Sequence, residues 1–100
     1  MLIHSVYFWF AADADPALVA RFEQGLKRLS AIAEVEQAYY GRPASTAPRP
    51  VVDASYAWSL IARFADVAAH DRYQDHPAHH AFLEEFATLF KEVRVYDVTL

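Results

Sequence analysis

The segment Leu2–Phe10 carries large apolar side chains on both of its alternating faces, which limits the folds open to this chain. It is rich in β-branched and aromatic residues, a composition that favours a strand. Successive side chains of a strand point to opposite sides of the sheet. One face would hold His4, Val6, Phe8 and Phe10, and the other Ile3, Ser5, Tyr7 and Trp9. Neither face is plainly polar, so we expect both sides of this strand to be covered.

A helix is predicted directly after this strand. Asp15 can accept hydrogen bonds from free backbone N–H groups of a first turn, and Pro16 suits the first helical position. Beyond them, apolar residues recur at spacings of four, four and three, the period of one helix face. These residues are Leu18, Phe22, Leu26 and Leu29. Gly25 lies inside the helix and should weaken it by about 1 kcal/mol relative to alanine.

The rest of the chain divides into alternating strand and helix patterns around one loop rich in proline. Strands are predicted at residues 34–42, 55–64 and 93–100, with the loop at 41–50. Asp66 begins a short helix that ends near Tyr73, and His76-Pro77 begins another, with a stripe of His79, Phe82, Phe86 and Phe90. This order predicts an α+β, ferredoxin-like split β-α-β fold with a four-stranded antiparallel sheet.

The second face of the predicted sheet is unusually apolar. In this fold the helices cover one face, and the other normally meets water and is polar. Here the second face carries Ile3, Tyr7, Trp9, Ile61, Tyr96, Val98 and Leu100. An apolar surface of this breadth usually marks an interaction site, and a two-fold dimer is the commonest way to bury it. We therefore expect a homodimer joined through the sheet face.

Charge and cysteine content argue against several classes of partner and chemistry. The net charge is −4 and no segment collects lysine or arginine, whereas nucleic-acid binding relies on clustered cations. The absence of cysteine removes disulfides and zinc–thiolate sites. No apolar run approaches the roughly 20 residues of a membrane span, and the first ten residues lack the basic region of a signal peptide. We expect one cytoplasmic domain over residues 1–100, with no nucleic-acid or membrane partner.

Several groups of residues resemble a known family. These are the strand pattern Ile3-His4-x-Val6-x-Phe8, the pair Arg63-Phe64 before a capped helix, the string YQDHPAHHAF from Tyr73 to Phe82, and the closing Val93-x-Val95-x-Asp97. In order and spacing they are similar to the stress-responsive dimeric α/β barrel (Dabb) domain. The resemblance extends over nearly the whole chain, and the string is its most specific part.

The resemblance implies a ferredoxin-like protomer and a homodimer whose sheets form a barrel. Most members of the family have no assigned reaction. Olivetolic acid cyclase-type members close a linear polyketide by aldol chemistry, with a tyrosine and a histidine that match Tyr73 and His79, and a pocket histidine that matches His4. This chain departs from them at His70, which stands where they carry an aliphatic residue. Bulkier side chains that would shorten the cavity are Phe8, Leu83 and Phe90. The cyclase substrate is therefore not implied.

The residues themselves place three polar rings between the helices and the sheet. His4 lies on the strand face assigned to the helices, and His79 shares the stripe of Phe82. Tyr73 shares a helical stripe with Val67 and His70. An imidazole exchanges protons near neutral pH, and a phenol can donate to a developing enolate oxygen. His79 and Tyr73 are thus the candidate catalytic pair. The candidate ligand-binding residues are His4, Val6, Phe8, Leu60, Val67, His70, Phe82, Phe86 and Phe90.

Structural roles remain open for the same residues. Tyr73 and His79 could hydrogen-bond to each other and hold two helices together, because buried polar groups need partners. His76 before Pro77 is expected to satisfy free N–H groups at a helix start. The His76-x-x-His79 spacing could approach a metal but lacks a third ligand. With only two glycines, no phosphate or dinucleotide loop is present, so we expect neither a metal nor a cofactor.

Three functions follow from these residues. The first is a homodimer that binds a small hydrophobic or aromatic molecule. The second is a cofactor-independent cyclase, lyase or isomerase that uses His79 and Tyr73 on a carbonyl substrate; a cofactor-free monooxygenase would share the fold, but its typical pocket Trp and Asn are not evident. The third is a structural stress-response protein without a ligand. An open cavity of a few hundred Å³ around His79 would favour a ligand, and a closed one a structural role.

Overall fold

The computed structural model describes residues 1–100 and contains four strands and three helices. The strands are β1 Leu2–Phe10, β2 Gln37–Gly41, β3 Trp58–Phe64 and β4 Phe90–Thr99. The helices are α1 Pro16–Ser30, α2 Val67–Gln74 and α3 Pro77–Phe86. All four strands form one antiparallel sheet in the order β2-β3-β1-β4. The predicted α+β, ferredoxin-like arrangement is therefore confirmed. None of the helices has the length and apolar character needed to cross a membrane.

Each helix begins where a side chain satisfies free backbone N–H groups. Asp15 accepts a hydrogen bond from the backbone N–H of Ala17 at 2.9 Å, and Asp66 accepts one from Ala69 at 2.8 Å. His76 does the same through its ring, because Nδ1 accepts from the N–H of Ala78 at 3.0 Å. All three helix starts agree with the capping residues predicted from the sequence.

The register of the central strand fixes which side chains meet the helices. In β1, His4 lies opposite Ala62 of β3 and opposite Asp97 of β4. Opposed residues share a face of the sheet, so these side chains point to the helix side. The core on that side is centred on Phe22, Phe64 and Phe86, which are fully buried. The same face of β4 extends beyond the helices and stays partly exposed.

The close approach of α1 and α3 explains why a glycine occupies position 25. A Cβ atom at this position would overlap the Cε2 atom of Phe86 and would lie 3.1 Å from Cδ2 of Phe82. Gly25 is buried in α1, directly against the aromatic side chains of α3. The glycine therefore permits helix packing that any larger residue would obstruct.

Several predicted strand limits are corrected by the structure. The strand predicted at 34–42 is confined to Gln37–Gly41, and that predicted at 55–64 begins only at Trp58. The closing strand begins at Phe90 rather than at residue 93, so Phe90 does not belong to the α3 stripe. A turn follows Phe86, and Phe90 pairs at once with Phe10. These limits depend on pairing between distant strands, which local patterns do not reveal.

The outer face of the sheet is apolar, and one segment folds over part of it. Tyr56 lies in this segment, before the start of β3, and its ring contacts Tyr7 and Trp9, with centroids 5.0 Å and 6.3 Å away. Ser55 holds this segment in place, because its Oγ accepts a 2.9 Å hydrogen bond from the indole N–H of Trp9. Large apolar side chains that remain exposed on this face are Tyr39, Ile61, Tyr96 and Val98.

Candidate functional site

A cavity of about 250 Å³ lies between the sheet and the helices α2 and α3. Its wall is made mainly of hydrophobic side chains, with a few polar groups from β1, α2 and α3. The lining residues are His4, Val6, Phe8, Leu29, Leu60, Tyr73, Gln74, His79, Phe82, Leu83, Phe90, Val93 and Val95. The cavity therefore has an apolar wall interrupted by three polar rings and one amide.

The mouth of this cavity lies beside the edge strand β4. Val93 and Val95 are 44% and 46% exposed, and Leu83 of α3 is 46% exposed. In the β1–β4 register, Val93 lies opposite Phe8 and Val95 opposite Val6, so the valines continue the cavity wall outward. Because these residues reach solvent, the cavity is open to molecules from outside.

His79 provides the most unusual polar group in the wall. Its side chain lies on the inner face of α3, 8% of the residue is exposed, and its Nδ1 has no hydrogen-bond partner. Burial lowers the pKa of this imidazole below its ordinary value, with smaller contributions from the nearby His80, His4 and His70. At neutral pH the ring is therefore uncharged.

Tyr73 lies next to His79 at the end of α2. The two rings meet edge to face, with 4.9 Å between centroids and 74° between planes. Burial raises the pKa of the Tyr73 phenol above its ordinary value, and burial is the only cause of that shift. The phenol therefore keeps its proton and can act as a hydrogen-bond donor. The hydrogen bond between Tyr73 and His79 considered from the sequence is not formed.

His4 completes the polar end of the cavity from the sheet side. Its Nδ1 lies 2.6 Å from Oδ1 of Asp97, on the neighbouring strand. Burial lowers the pKa of His4 below its ordinary value, although the hydrogen bond and charge of Asp97 oppose that change. A neutral ring that donates from Nδ1 to Asp97 keeps a lone pair on its other nitrogen. The His4 ring lies 6.1 Å from that of Tyr73 and 4.8 Å from that of His70.

This arrangement can bind and polarise a carbonyl group. The phenol of Tyr73 can donate to a carbonyl oxygen, and a neutral imidazole can take a proton from the adjacent carbon. The mainly apolar wall lowers the local dielectric constant, which strengthens both interactions. Neither Tyr73 nor the imidazole has to carry a charge before the reaction, because both side chains act from their neutral forms.

The predicted site residues are placed as follows. The cavity wall includes both candidate catalytic residues, His79 and Tyr73, and six candidate ligand-binding residues: His4, Val6, Phe8, Leu60, Phe82 and Phe90. Val67 does not line the cavity, because it is 56% exposed on the outer side of α2. Phe86 lies behind the wall against Phe22. His70 lies beside His4 but outside the lining set.

The sequence reasoning placed Leu83 at the cavity but missed four lining residues: Leu29, Gln74, Val93 and Val95. Leu29 belonged to the predicted stripe of α1, and the alternation in the last strand already grouped Val93 with Val95. The alternation showed that the two valines share a face of the strand. Their place at the cavity also depends on the position of β4 beside β1, which the sequence alone does not give. His76 caps α3, so this side chain is not a wall residue.

Comparisons with known proteins agree with this fold. The family model described as the stress responsive A/B barrel domain (Dabb) matches residues 2–100. No curated protein sequence matches the chain. A Dabb family protein with a ferredoxin-like fold from Mesorhizobium loti is 30% identical, with a TM-score of 0.77 over 99% of this chain and 95% of that one.

Two more distant structures share the fold. A dimeric ferredoxin-like protein of unknown function from Thermobifida fusca is 22% identical, with a TM-score of 0.78 over 99% of this chain and 90% of that one. A hydroxynitrile lyase from Passiflora edulis is 17% identical, with a TM-score of 0.80 over 99% of this chain and 92% of that one. Since the family model spans residues 2–100, the chain belongs to the stress-responsive A/B barrel (Dabb) domain family.

Proposed function

We propose that this protein is a homodimer that binds one small apolar or aromatic carbonyl compound in the cavity of each protomer. The observation that carries the proposal is the unpartnered Nδ1 of His79, which is buried in the wall of an open apolar cavity. A buried polar atom without a partner lowers stability by about 1–3 kcal/mol. Polar groups retained at such a cost are typical of functional sites.

The size of the cavity restricts the ligand. Ligand pockets usually measure about 300–1,000 Å³, and this one measures about 250 Å³. A molecule with one aromatic ring and a short substituent suits that volume. Because the wall offers neutral polar groups and no cation, an uncharged carbonyl oxygen suits the polar end better than a carboxylate does.

The homodimer is supported by the outer face of the sheet. Tyr39, Ile61, Tyr96 and Val98 form an exposed apolar surface that two protomers could bury against each other. The Thermobifida fusca protein of the same fold is described as dimeric. The cavity lies on the opposite side of the sheet, so association through the outer face would leave its mouth open.

Binding and stability measurements on His79→Ala test the proposal. Acetophenone and butyrophenone serve as probes in calorimetric titrations, and urea unfolding measures stability. We expect His79→Ala to lose detectable binding while its free energy of unfolding is unchanged or higher, because the unpartnered nitrogen is removed. His80→Ala, an exposed neighbour on α3, is the matched control and should bind as the wild type does. A His79→Ala variant that is strongly destabilised and still binds would refute the proposal.

A second candidate function is proton transfer next to the carbonyl of the bound molecule. It is favoured by the uncharged state of His79, whose pKa is lowered by burial, beside a protonated Tyr73. That a hydroxynitrile lyase has the same fold supports an enzymatic use of this scaffold. Its test is the exchange of the methyl protons of acetophenone in D₂O, followed by proton NMR.

The expected exchange follows a simple cycle. The imidazole of His79 takes a proton from the methyl carbon, Tyr73 hydrogen-bonds the enolate oxygen, and the ring returns a deuteron acquired from solvent. His79→Gln should abolish protein-dependent exchange, and Tyr73→Phe should slow it by about 10²–10⁴-fold. Ketone binding by the wild type without any exchange above buffer would reject catalysis and leave the binding function in place.

A further inference from the structure

A cluster of two histidines and one aspartate lies beside the cavity, at the junction of three elements. His4 comes from β1, His70 from α2 and Asp97 from β4. One ring nitrogen from each histidine and one carboxylate oxygen all lie within 4.8 Å of one another. We propose that His4, His70 and Asp97 form a binding site for a divalent transition-metal ion such as Zn²⁺.

The fold brings these ligands together without any motif in the sequence. The β1–β4 register places His4 directly opposite Asp97 on the helix side of the sheet. α2 crosses above them, so that the rings of His4 and His70 lie 4.8 Å apart between centroids. Two imidazoles and one carboxylate are ligands that zinc accepts, and three protein ligands are the number found in sites with an open position. The site is distinct from the His76-x-x-His79 pair considered from the sequence.

The surroundings of His70 also suit metal binding. A histidine that binds a metal through one ring nitrogen usually pairs the other nitrogen with a carboxylate, a carbonyl or water. The Nδ1 of His70 lies 3.1 Å from the carboxylate of Asp71, an outer pairing that is usual for histidines that bind metals. In the tautomer that donates from Nδ1 to Asp71, the lone pair of His70 is on Nε2, which the amide of Gln74 contacts at 3.2 Å.

Binding requires a small contraction of the cluster. Zinc–ligand bonds of about 2.0–2.2 Å keep tetrahedral ligands about 3.4 Å apart. Because the ligand atoms lie within 4.8 Å of one another, the widest separation must close by at most about 1.4 Å. Asp97 can move easily because its side chain is 43% exposed, and rotation of His70 displaces only the Gln74 amide. His4 is buried and serves as the fixed point of the site.

Calorimetric titration of Zn²⁺ into protein treated with a chelator tests the site in the absence of any ketone. We expect one zinc per chain, with binding at least about tenfold weaker in His70→Gln and in Asp97→Asn. His80→Gln removes an exposed histidine outside the cluster and should bind within about twofold of the wild type. Circular dichroism checks that each variant is folded. None of the three substituted side chains is fully buried in the wild type.

Cobalt gives a second measurement that does not depend on affinity alone. Co²⁺ bound to nitrogen and oxygen ligands in a tetrahedral site shows intense visible absorption, which hydrated Co²⁺ lacks. His70→Gln should remove that band, whereas His80→Gln should retain it. Zinc binding below one equivalent, or an equal loss in His80→Gln, would overturn the proposal. Since no ketone is present, such a failure would not touch the carbonyl-binding function.

Discussion

The imidazole of His79 packs edge-on against the phenol ring of Tyr73, with 4.9 Å between the centroids, and no hydrogen bond joins the two side chains. A pair with only a structural role would be expected to share that bond, because burial penalises both polar groups. Their contact is instead aromatic, and the Nδ1 of His79 has no hydrogen-bond partner. The helices α2 and α3 are therefore not held together by a hydrogen bond between these two side chains.

The first prediction concerns the Tyr73 hydroxyl. Tyr73→Phe keeps the ring contact and removes a buried group that bonds no other residue, so the free energy of unfolding should fall by less than about 0.5 kcal/mol or should rise. In the double variant with His79→Ala, the two effects should add within the same margin. Urea unfolding of both single variants and the double variant measures this. A loss above about 1 kcal/mol in Tyr73→Phe would point to a structural hydrogen bond.

The second prediction concerns the contact between α1 and α3. Gly25→Ala should lower the free energy of unfolding by about 1–3 kcal/mol, because its Cβ would overlap the ring of Phe86. Helix propensity alone would raise stability by about 1 kcal/mol. Ala20→Gly, at an exposed position of α1, is the matched control and should cost about 1 kcal/mol through propensity alone. Stabilisation by Gly25→Ala would show that the helices are not closely packed there.

A third prediction follows from the two buried histidines. Burial lowers the pKa of both His4 and His79 in the folded protein, so the unfolded chain binds protons more readily. Stability should therefore be constant above about pH 7.5 and should fall as pH drops below about 6.5, the ordinary value for histidine. Urea unfolding between pH 8 and pH 5.5 measures the slope. His79→Gln should flatten it in part, and His80→Gln should not.

An acid slope that is absent in the wild type would show that these two rings are not held neutral by the fold. A slope that is equal in the wild type and His79→Gln would assign the effect to other groups.

The fourth prediction compares two valines of β4 with nearly equal exposure on opposite faces. Val98 lies on the outer face and is 48% exposed, while Val95 lies at the cavity mouth and is 46% exposed. Val98→Glu should dissociate the proposed dimer, since a charge buried between two sheets is strongly unfavourable. Val95→Glu should remain dimeric. Light scattering at micromolar concentration distinguishes dimer from monomer. A monomeric wild type would contradict the proposed dimer.

Local signals were sufficient for the helices and for the central strand of this fold. Asp15, Asp66 and His76 cap the helices as predicted, because capping depends on residues only two or three positions apart. Strand limits depend on partners far along the chain. Phe90 was grouped with α3 because it continues the spacing of Phe82 and Phe86, but pairing with Phe10 places it in β4.

For the candidate site, too, local spacing identified individual residues but not the contacts between distant strands. His79 and Tyr73 were identified from helical spacing and from the family resemblance, and both line the cavity. Val67 was included because it shares a helical spacing with Tyr73, but the short α2 turns it to solvent. The pairing of His4 with Asp97 spans 93 residues and arises from strand order, which no local pattern specifies.

The most direct test of the binding site is a titration of histidine-labelled protein with acetophenone and butyrophenone, observed by carbon–proton NMR. The histidines report different places, since His79 and His4 line the cavity, His80 is exposed and His76 caps α3. His70, the fifth, lies beside His4. The proposed function predicts saturable shifts of the His79 and His4 signals, with His80 unchanged. If neither ketone moves the His79 signal at millimolar concentration, or if all five signals move alike, the cavity is not the binding site.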